Sequence, residues 1–265
     1  MDFVLAVAQN APGRGRMFVR QLVQSDSHQD AAEQTESPEE ELYPGHIRTT
    51  PLQKALLGVG STLMALYSPA RDDMVAVNGE VTGMLALPWM HRKMLEDAEG
   101  QQILREKPKL NSYTVDLDAL RSLPEGTLGR AYTQFLDVNG VSPDTRLPVR
   151  FVDDPELAYV MQRYREAHDL MHTVLGMNTK LVGEVAVKWV EGLQTGLPMC
   201  LGGALMAPIR FRPKQRKDYV TRVLPWALKN GFKGKFILNA YFEKRWSQDL
   251  NDFRKEFNIQ EPPSA

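Results

Sequence analysis

The sequence lacks the cysteine and the excess charge that several classes of protein require. Cys200 is the single cysteine in 265 residues, which excludes an intramolecular disulfide, a four-cysteine zinc site and a cysteine-ligated iron–sulfur cluster. The 32 basic and 33 acidic residues give a formal charge of −1, so no field of the whole chain attracts nucleic acid. We therefore expect no nucleic-acid partner and a reducing compartment.

Long apolar runs are also scarce. The uncharged run from Gly192 to Ile209 approaches the ~20 apolar residues that cross a bilayer, but Gln194, Thr195 and Pro198 interrupt it. A second uncharged run, Ala55 to Ala70, is shorter. Both are more typical of core helices or of the wall of an apolar cavity than of membrane spans.

The N-terminal region differs in composition from the rest of the chain. Its first part carries Arg14, Arg16 and Arg20 among apolar residues, and the part that follows is acidic and rich in Gln and Ser. We interpret residues 1–42 as a mitochondrial transit peptide followed by a disordered acidic linker, although a disordered tail without a targeting role has the same composition. Residues 259–265 are expected to form a C-terminal tail.

Residues 43–258 have a mostly helical pattern, and segments of alternating β-branched residues are scarce. This predicts an all-α fold, a single multi-helix domain with a disordered N-terminal extension. The predicted helices are Leu52–Tyr67 after Pro51, Glu156–Leu175 after Pro155, one capped by Asn178 or Thr179 and running to Gln194, Leu197–Ala207, Lys217–Lys229 and Leu238–Phe257.

One group of residues indicates metal chemistry. His168 and His172 lie four positions apart on the predicted Glu156–Leu175 helix, so their imidazoles share one face and can converge on one ion. Asp169 falls within the same arc and can be a further ligand or can orient a histidine. If the chain turns back near residue 178, Glu184 is as far after the turn as His172 is before it, and the two face each other. His168 would then lie opposite Lys188 or a position near it.

Such nitrogen and carboxylate ligands suit Zn²⁺, Fe²⁺ or Mn²⁺, and Zn²⁺ is our first expectation. A shell of protein ligands with open positions is typical of catalytic sites. Two other histidine motifs fit poorly. In zinc peptidases with H-E-x-x-H a glutamate stands where Asp169 stands here. An HD-type phosphohydrolase would need partners such as His91 and Asp218, whose context supports neither role.

The segment HDLMHTVLGMNTKLVGE (His168–Glu184) resembles the metal motif of the ubiquinone (coenzyme Q) biosynthesis protein 4 family. The likeness extends from about Tyr43 to Asn258 and includes PLQKALLGVGSTLMALYSPARDDMVAVNGE, FLDVNGVSPDTR, RFVDDPELAYVMQRYREAHD and VKWVEGLQTGLPMC. The resemblance implies that His168, Asp169, His172 and Glu184 are metal ligands.

It also implies a lyase that removes the C1 carboxylate of 4-hydroxy-3-methoxy-5-polyprenylbenzoate, by plain or by oxidative decarboxylation. The expected setting is the matrix side of the mitochondrial inner membrane, as a peripheral protein in a complex with other ubiquinone biosynthesis enzymes, which it would also organise. The alternative is a non-catalytic, lipid-binding scaffold of that complex. Asp169 or a metal-bound water is our candidate proton donor for the carbon that loses CO₂. The basic segment Arg210–Lys217 is a candidate contact for lipid headgroups.

Overall fold

Helices make up the regular structure of this chain, and the computed structural model describes residues 41–68 and 71–263. The α-helices are α1 (Pro51–Tyr67), α2 (Asp72–Thr82), α3 (Ala86–Leu95), α4 (Ala98–Glu106), α5 (Leu117–Arg121), α6 (Leu128–Asn139), α7 (Pro155–Leu175), α8 (Leu181–Thr195), α9 (Pro198–Met206), α10 (Pro213–Asp218), α11 (Leu224–Lys233) and α12 (Leu250–Glu256). Short 3₁₀ helices occur at Pro143–Thr145, Ala207–Arg210, Ile237–Asn239 and Phe242–Lys244.

The prediction of an all-α fold is confirmed for the described ranges, which contain one isolated antiparallel bridge and no strand. The proposed transit peptide and acidic linker lie, up to residue 40, outside the described residues. None of the helices searched in the described part of the chain is long and apolar enough to cross a membrane.

The starts of α1 and α7 follow from local sequence. Thr50 caps α1 with a reciprocal capping box, because its side chain accepts from the Gln53 N–H while the Gln53 side chain accepts from the Thr50 N–H. Asp154 caps α7 by accepting from the N–H groups of Glu156 and Leu157. A proline occupies the first position of both helices, where its missing N–H costs no hydrogen bond.

Helix α7 runs through the core and carries most of the residues that become important below. Its buried positions follow one another almost without interruption from Val160 to Leu175, on every side of the helix. It packs against α3, α6, α8 and the 3₁₀ helix Ile237–Asn239. Polar residues of α7 are therefore buried, and each needs a partner supplied by another element.

Two buried arginines of α7 meet this need with ion pairs. Arg163 donates to both carboxylate oxygens of Glu243, and Arg165 donates to Glu80 at 2.7 Å. The other oxygen of Glu80 accepts from the N–H groups of Arg150 and Phe151. These bonds hold the extended segment before α7, which includes Arg150 and Phe151, against the body of the protein. That segment begins beside the candidate metal centre described below.

The predicted helix Leu238–Phe257 is wrong for most of its length, because only Leu250–Glu256 is α-helical. Tertiary contacts take the backbone groups that a longer helix would use. The Tyr241 N–H donates to Glu99 of α4, and the Asp249 side chain caps α12 by accepting from two backbone N–H groups.

The helix predicted at Lys217–Lys229 is longer in the structure than we expected. It runs from Pro213 to Lys233 through a π-helical turn at Tyr219–Val223.

Candidate metal centre

The turn between α7 and α8 shapes the site. Gly176 ends α7 with φ of +65°, in the left-handed region that favours glycine. A Cβ atom there would also lie 2.8 Å from Cγ of Pro262. Beyond this glycine the Met177 N–H donates to the His172 carbonyl at 2.9 Å. The chain then reverses, and α8 begins at Leu181 with the Asn178 side chain accepting from the Lys180 N–H.

This reversal brings three predicted ligands together across the two helices. One ligand atom from each of His168, His172 and Glu184 lies within 4.8 Å of the other two. Nε2 of His172 is 3.2 Å from Oε1 of Glu184, and Nε2 of His168 is 3.7 Å from Oε2. The two imidazole rings stand nearly perpendicular, at 83°, with their centroids 4.8 Å apart. Two nitrogens and a carboxylate therefore converge on one point.

The other ring nitrogen of each histidine is held by an acceptor. Nδ1 of His168 is 2.7 Å from Oε1 of Glu191, and Nδ1 of His172 is 3.1 Å from the carbonyl oxygen of Met177. Since a carboxylate and a carbonyl only accept, both Nδ1 atoms carry a hydrogen, and in the neutral rings both Nε2 atoms have a free lone pair. Metal-binding histidines usually have this arrangement.

Electrostatics favour the charged forms of the groups around this point. Burial alone would raise the pKa of Glu184, but the close approach of His168 and His172 lowers it strongly. Burial likewise opposes ionisation of Glu191, yet the nearby Lys188 and His168 hold the pKa of Glu191 far below its ordinary value. Burial lowers the pKa of His168, but the Glu191 charge and the contacts with Glu184 and Glu191 together outweigh burial, so that the net pKa of His168 is raised.

Glu191 is the centre of a buried network behind the histidines. Its Oε2 accepts from Lys188 at 2.7 Å and from the hydroxyl of Tyr164 at 3.0 Å. The Cys200 sulfur lies 3.0 Å from the same hydroxyl, and burial raises the pKa of the Cys200 thiol to about 12. Glu191 and Cys200 have no exposed surface, so this network serves to fix Glu191 rather than to meet a ligand.

Asp169 is oriented differently from the three converging residues. Its Oδ1 accepts from Nη2 of Arg146 at 2.5 Å, and its Oδ2 is buried without a hydrogen-bond partner. Among the described residues, the group of possible ligands consists of the other three predicted residues and does not include Asp169. Its assignment as a ligand stays a prediction. Neither His91 nor Asp218 belongs to the group.

The sequence pattern missed several residues of the site. His168 was expected to lie opposite Lys188 or near it, and its direct contact is Glu191, one turn beyond Lys188 along α8. Glu191 follows Glu184 by seven residues, two turns along the same helical face, and this spacing could have identified it. Arg146 comes from an irregular segment after the Pro143–Thr145 helix, and no periodicity relates it to α7.

Comparison with known proteins identifies the family. The model of the family described as coenzyme Q (ubiquinone) biosynthesis protein Coq4 matches residues 43–263. The chain belongs to the Coq4 family. The COQ4 homolog of Mus musculus, named a mitochondrial ubiquinone biosynthesis protein, is 57% identical over 222 residues, which is 84% of each chain. The Homo sapiens homolog, named likewise, is 55% identical with the same coverage.

The Coq4 fold also has a counterpart among solved structures. A crystallised protein of Nostoc punctiforme, described as a candidate ubiquinone biosynthesis protein, superposes with a TM-score of 0.61. The match covers 78% of this chain and 98% of that protein, at 18% identity. At this identity the likeness concerns the fold alone.

Proposed function

We propose that this Coq4 family member acts in ubiquinone biosynthesis as a lyase that removes the C1 carboxylate of 4-hydroxy-3-methoxy-5-polyprenylbenzoate with the help of a divalent metal ion. The observation that carries the proposal is the convergence of His168, His172 and Glu184, together with the acceptors on both Nδ1 atoms. A structural role for the histidines alone would not require their Nε2 atoms to face a carboxylate.

The residues fit a divalent ion. Nε2 of His172 is buried and close to Glu184, but the contact lacks hydrogen-bond geometry, which leaves a lone pair without a donor. Two nitrogens and a carboxylate suit Zn²⁺ first, and Fe²⁺ or Mn²⁺ as well. With three protein ligands the site would keep an open position, as catalytic zinc sites do. The Glu184 side chain is one-third exposed, so the site has access from solvent.

A bound ion would stabilise negative charge that develops on the carboxylate or on the ring oxygen. The remaining chemistry falls to side chains of this chain. The para-hydroxyl of the substrate supplies electrons to the ring, so C1 must receive a proton as the carboxylate leaves. We assign this proton transfer to Asp169. Its Oδ1 accepts from Arg146 whether or not Oδ2 is protonated, and Oδ2 has no other partner in the described residues.

The test is direct measurement of CO₂ release. Purified protein supplied with Zn²⁺, Fe²⁺ or Mn²⁺ should release CO₂ from the prenylated hydroxybenzoate, and His172→Ala should abolish the release. His91→Ala is the matched control, because His91 lies on α3 outside the group of ligands. Repeating the reaction with ¹⁸O₂ separates plain decarboxylation from replacement of the carboxylate by a hydroxyl group. Absence of turnover with every metal, with and without oxygen, would contradict the proposal.

Asp169→Asn distinguishes the two predictions for this residue. If Asp169 is a ligand, the variant should lose metal as Glu184→Ala does when both are measured by elemental analysis. If it is the proton donor, the variant should keep its metal and lose turnover. We expect the second result, because the structure directs Asp169 to Arg146.

We further propose that α1 contacts the surface of the mitochondrial inner membrane, on its matrix side. On the side of α1 that faces α2, Ser61 is buried, and the hydroxyls of Ser61 and Thr62 accept from the Asn78 side chain of α2. Its large apolar residues face outward and are 62–70% exposed at positions spaced by three and four, namely Leu52, Leu56, Val59 and Leu63. An exposed apolar stripe of this kind marks a contact with lipid or with another protein.

Two neighbouring features support lipid as the contact. The basic segment Arg210–Lys217 adjoins the end of α1, where Arg210 donates to the Leu66 carbonyl at 2.6 Å. Cations at this place would favour anionic headgroups. A groove of about 770 Å³ runs beside the stripe, is lined largely by apolar side chains that include Val59, Leu63 and Val81, and offers space for a polyprenyl tail. Flotation with cardiolipin-containing vesicles should be lost in Leu56→Glu/Leu63→Glu and kept in the control Leu95→Glu, which lies on α3.

The second candidate function is a non-catalytic scaffold that recruits other ubiquinone biosynthesis enzymes. The same exposed stripe on α1 favours it, since an enzyme partner could cover these leucines as well as lipid could. The stripe variant separates the two functions. If the protein is a scaffold, Leu56→Glu/Leu63→Glu should lose its partner enzymes, and substitution of the metal ligands should not affect its function. If it is the lyase, Leu56→Glu/Leu63→Glu should keep its turnover of a soluble, short-tailed substrate.

A further inference from the structure

Unpartnered polar atoms are concentrated beside the metal centre. In the described part of the chain, seven buried side-chain nitrogen or oxygen atoms have no hydrogen-bond partner. Four of them come from residues in or next to the site and are Tyr132 Oη, Arg146 Nε, Asp169 Oδ2 and His172 Nε2. Buried polar groups nearly always have partners. This concentration therefore points to a polar molecule that the site is built to receive.

Arg146 has the most informative position in this group. Its guanidinium uses Nη2 to hold Asp169 and leaves Nε without a partner. Its side chain is 29% exposed, so the group connects the surface with the buried site. The contact of Nη2 with Asp169, the residue after His168 on α7, places the guanidinium beside the centre.

Tyr132 supplies a second free donor from the opposite helix. It lies on α6, one turn before Phe135, whose ring stacks on His172 with centroids 5.4 Å apart. The Tyr132 side chain is fixed by stacking on Trp246 and is almost fully buried, yet its hydroxyl has no partner. Burial raises the pKa of Tyr132 and the charge of Asp169 raises it further, so the hydroxyl keeps its proton and remains a donor.

The charges of the site favour an anion as the missing molecule. Two cations, Arg146 and Lys188, accompany three carboxylates, those of Asp169, Glu184 and Glu191. With neutral histidines, a bound divalent ion would change the net charge from −1 to +1, or from 0 to +2 when Asp169 holds the proton that it donates. The loaded site then has positive charge to balance, and Arg146 Nε and Tyr132 Oη are donors suited to oxygen.

We propose that Arg146 and Tyr132 form the recognition site for the carboxylate of the substrate, with Arg146 as its charged partner. This inference rests on the proposed function, because it takes the prenylated hydroxybenzoate as the ligand. Arg146 and Tyr132 are thus assigned to binding and orientation of the group that leaves as CO₂. Their substitution should affect recognition of the carboxylate more than occupancy by metal.

The test compares a carboxylate with its neutral ester. The probe is 3,4-dimethoxy-5-prenylbenzoate, whose methylated para oxygen has no proton to lose and so cannot pass through the neutral dienone that protonation at C1 would give. The comparison ligand is its methyl ester. Titration calorimetry is carried out on the full chain loaded with Zn²⁺. We expect the wild-type protein to bind the acid about tenfold more tightly than the ester. Arg146→Gln should reduce this ratio to about one, and Tyr132→Phe should weaken binding of the acid alone.

Controls separate recognition from folding and from metal loss. Arg121→Gln removes an exposed arginine that pairs with Asp118 and Asp137, and should leave the ratio unchanged. Since Arg146→Gln leaves Asp169 buried without its cation, the double variant Arg146→Gln/Asp169→Asn removes both charges. It should fold and also lack the preference. Metal content and circular dichroism are measured for every variant.

Several results would overturn the inference. One is equal binding of acid and ester by wild-type protein, and another is a tenfold preference that survives in metal-loaded Arg146→Gln. The second result would mean that the ion alone recognises the carboxylate and that water occupies the free donors. These outcomes are independent of turnover. If the protein prefers the acid through Arg146 but releases no CO₂ from the natural type of substrate, the recognition site stands and the lyase proposal fails.

Discussion

Nδ1 of His168 lies 2.7 Å from Oε1 of Glu191, a carboxylate with no exposed surface. Glu191 is in turn held by Lys188 and Tyr164. This chain of contacts fixes which nitrogen of His168 carries the hydrogen and which way the ring points. The opposite nitrogen consequently faces Glu184 and is available to a metal ion.

Glu191→Gln should weaken metal binding. The amide cannot accept the His168 N–H with the strength of a carboxylate, and the loss of a histidine's acceptor typically costs 10–100-fold in metal affinity, about 1–3 kcal/mol. Competition with a chelator measures the affinity. Because the variant leaves Lys188 buried without its carboxylate, Glu191→Gln/Lys188→Met should be compared with it. Unchanged affinity in both variants, like that of the exposed control Glu156→Gln, would refute the positioning role.

Metal should stabilise the fold through the same residues. An ion that binds only the folded state at 100 times its Kd adds about 2.7 kcal/mol to the free energy of unfolding. We expect Zn²⁺ to raise the Tm of the wild-type protein and chelator to lower it again. In Glu184→Gln the rise should be absent or much smaller. An equal rise in both proteins would mean that the ion binds elsewhere.

Cys200 should be inert toward thiol reagents in the folded protein. Its side chain is fully buried, and burial raises the pKa of the thiol to about 12, so almost no thiolate forms at pH 8. We expect no alkylation by iodoacetamide at pH 8 and complete reaction of this one cysteine in urea. Mass spectrometry measures both. Rapid labelling of the native protein would contradict the described burial.

Gly176→Ala should destabilise the protein by about 1–2 kcal/mol, because the left-handed conformation disfavours a Cβ atom. The contact with Pro262 adds to this cost. Gly202→Ala is a matched control, since Gly202 lies within helix α9 with open space around it and should gain about 0.5–1 kcal/mol. Urea denaturation measures both changes. Equal effects of the two substitutions would show that the turn does not require glycine.

Acid should loosen the start of α1. Burial raises the pKa of Asp153, but hydrogen bonds from Lys54 and His46 lower it more, so its net pKa lies below the ordinary value of 3.8. The ionised Asp153 carboxylate stabilises the folded state above the pKa that Asp153 has in the unfolded chain. This stabilisation is lost as the pH falls through the pKa of Asp153 in the folded protein. In the wild-type protein, amide exchange in Pro51–Tyr67 should therefore accelerate as the pH falls, when the exchange rate is expressed relative to that of Asp153→Asn at the same pH. The effect is modest because the carboxylate is half exposed.

Local pattern predicted the elements that carry the metal ligands. Prolines at the first position of α1 and α7 and the glycine after α7 have strong backbone preferences of their own, and the structure begins or ends helices at these residues. The four-residue spacing of His168 and His172 placed both rings on one face for the same reason. The segment before Leu250 was predicted poorly, because its backbone groups bond to α4 and α7 rather than along a helix.

The sequence alone therefore determined the all-α class and the family. It also determined that Glu184 lies opposite His172 across a short turn, since helix periodicity and turn length act over a few residues. Tertiary structure decided which acceptor holds each histidine, brought Arg146 to Asp169 and packed α6, which carries Tyr132, against α7. It also turned the leucines of α1 outward. These relationships join residues from separate elements, and their positions depend on packing of the whole core rather than on any local preference.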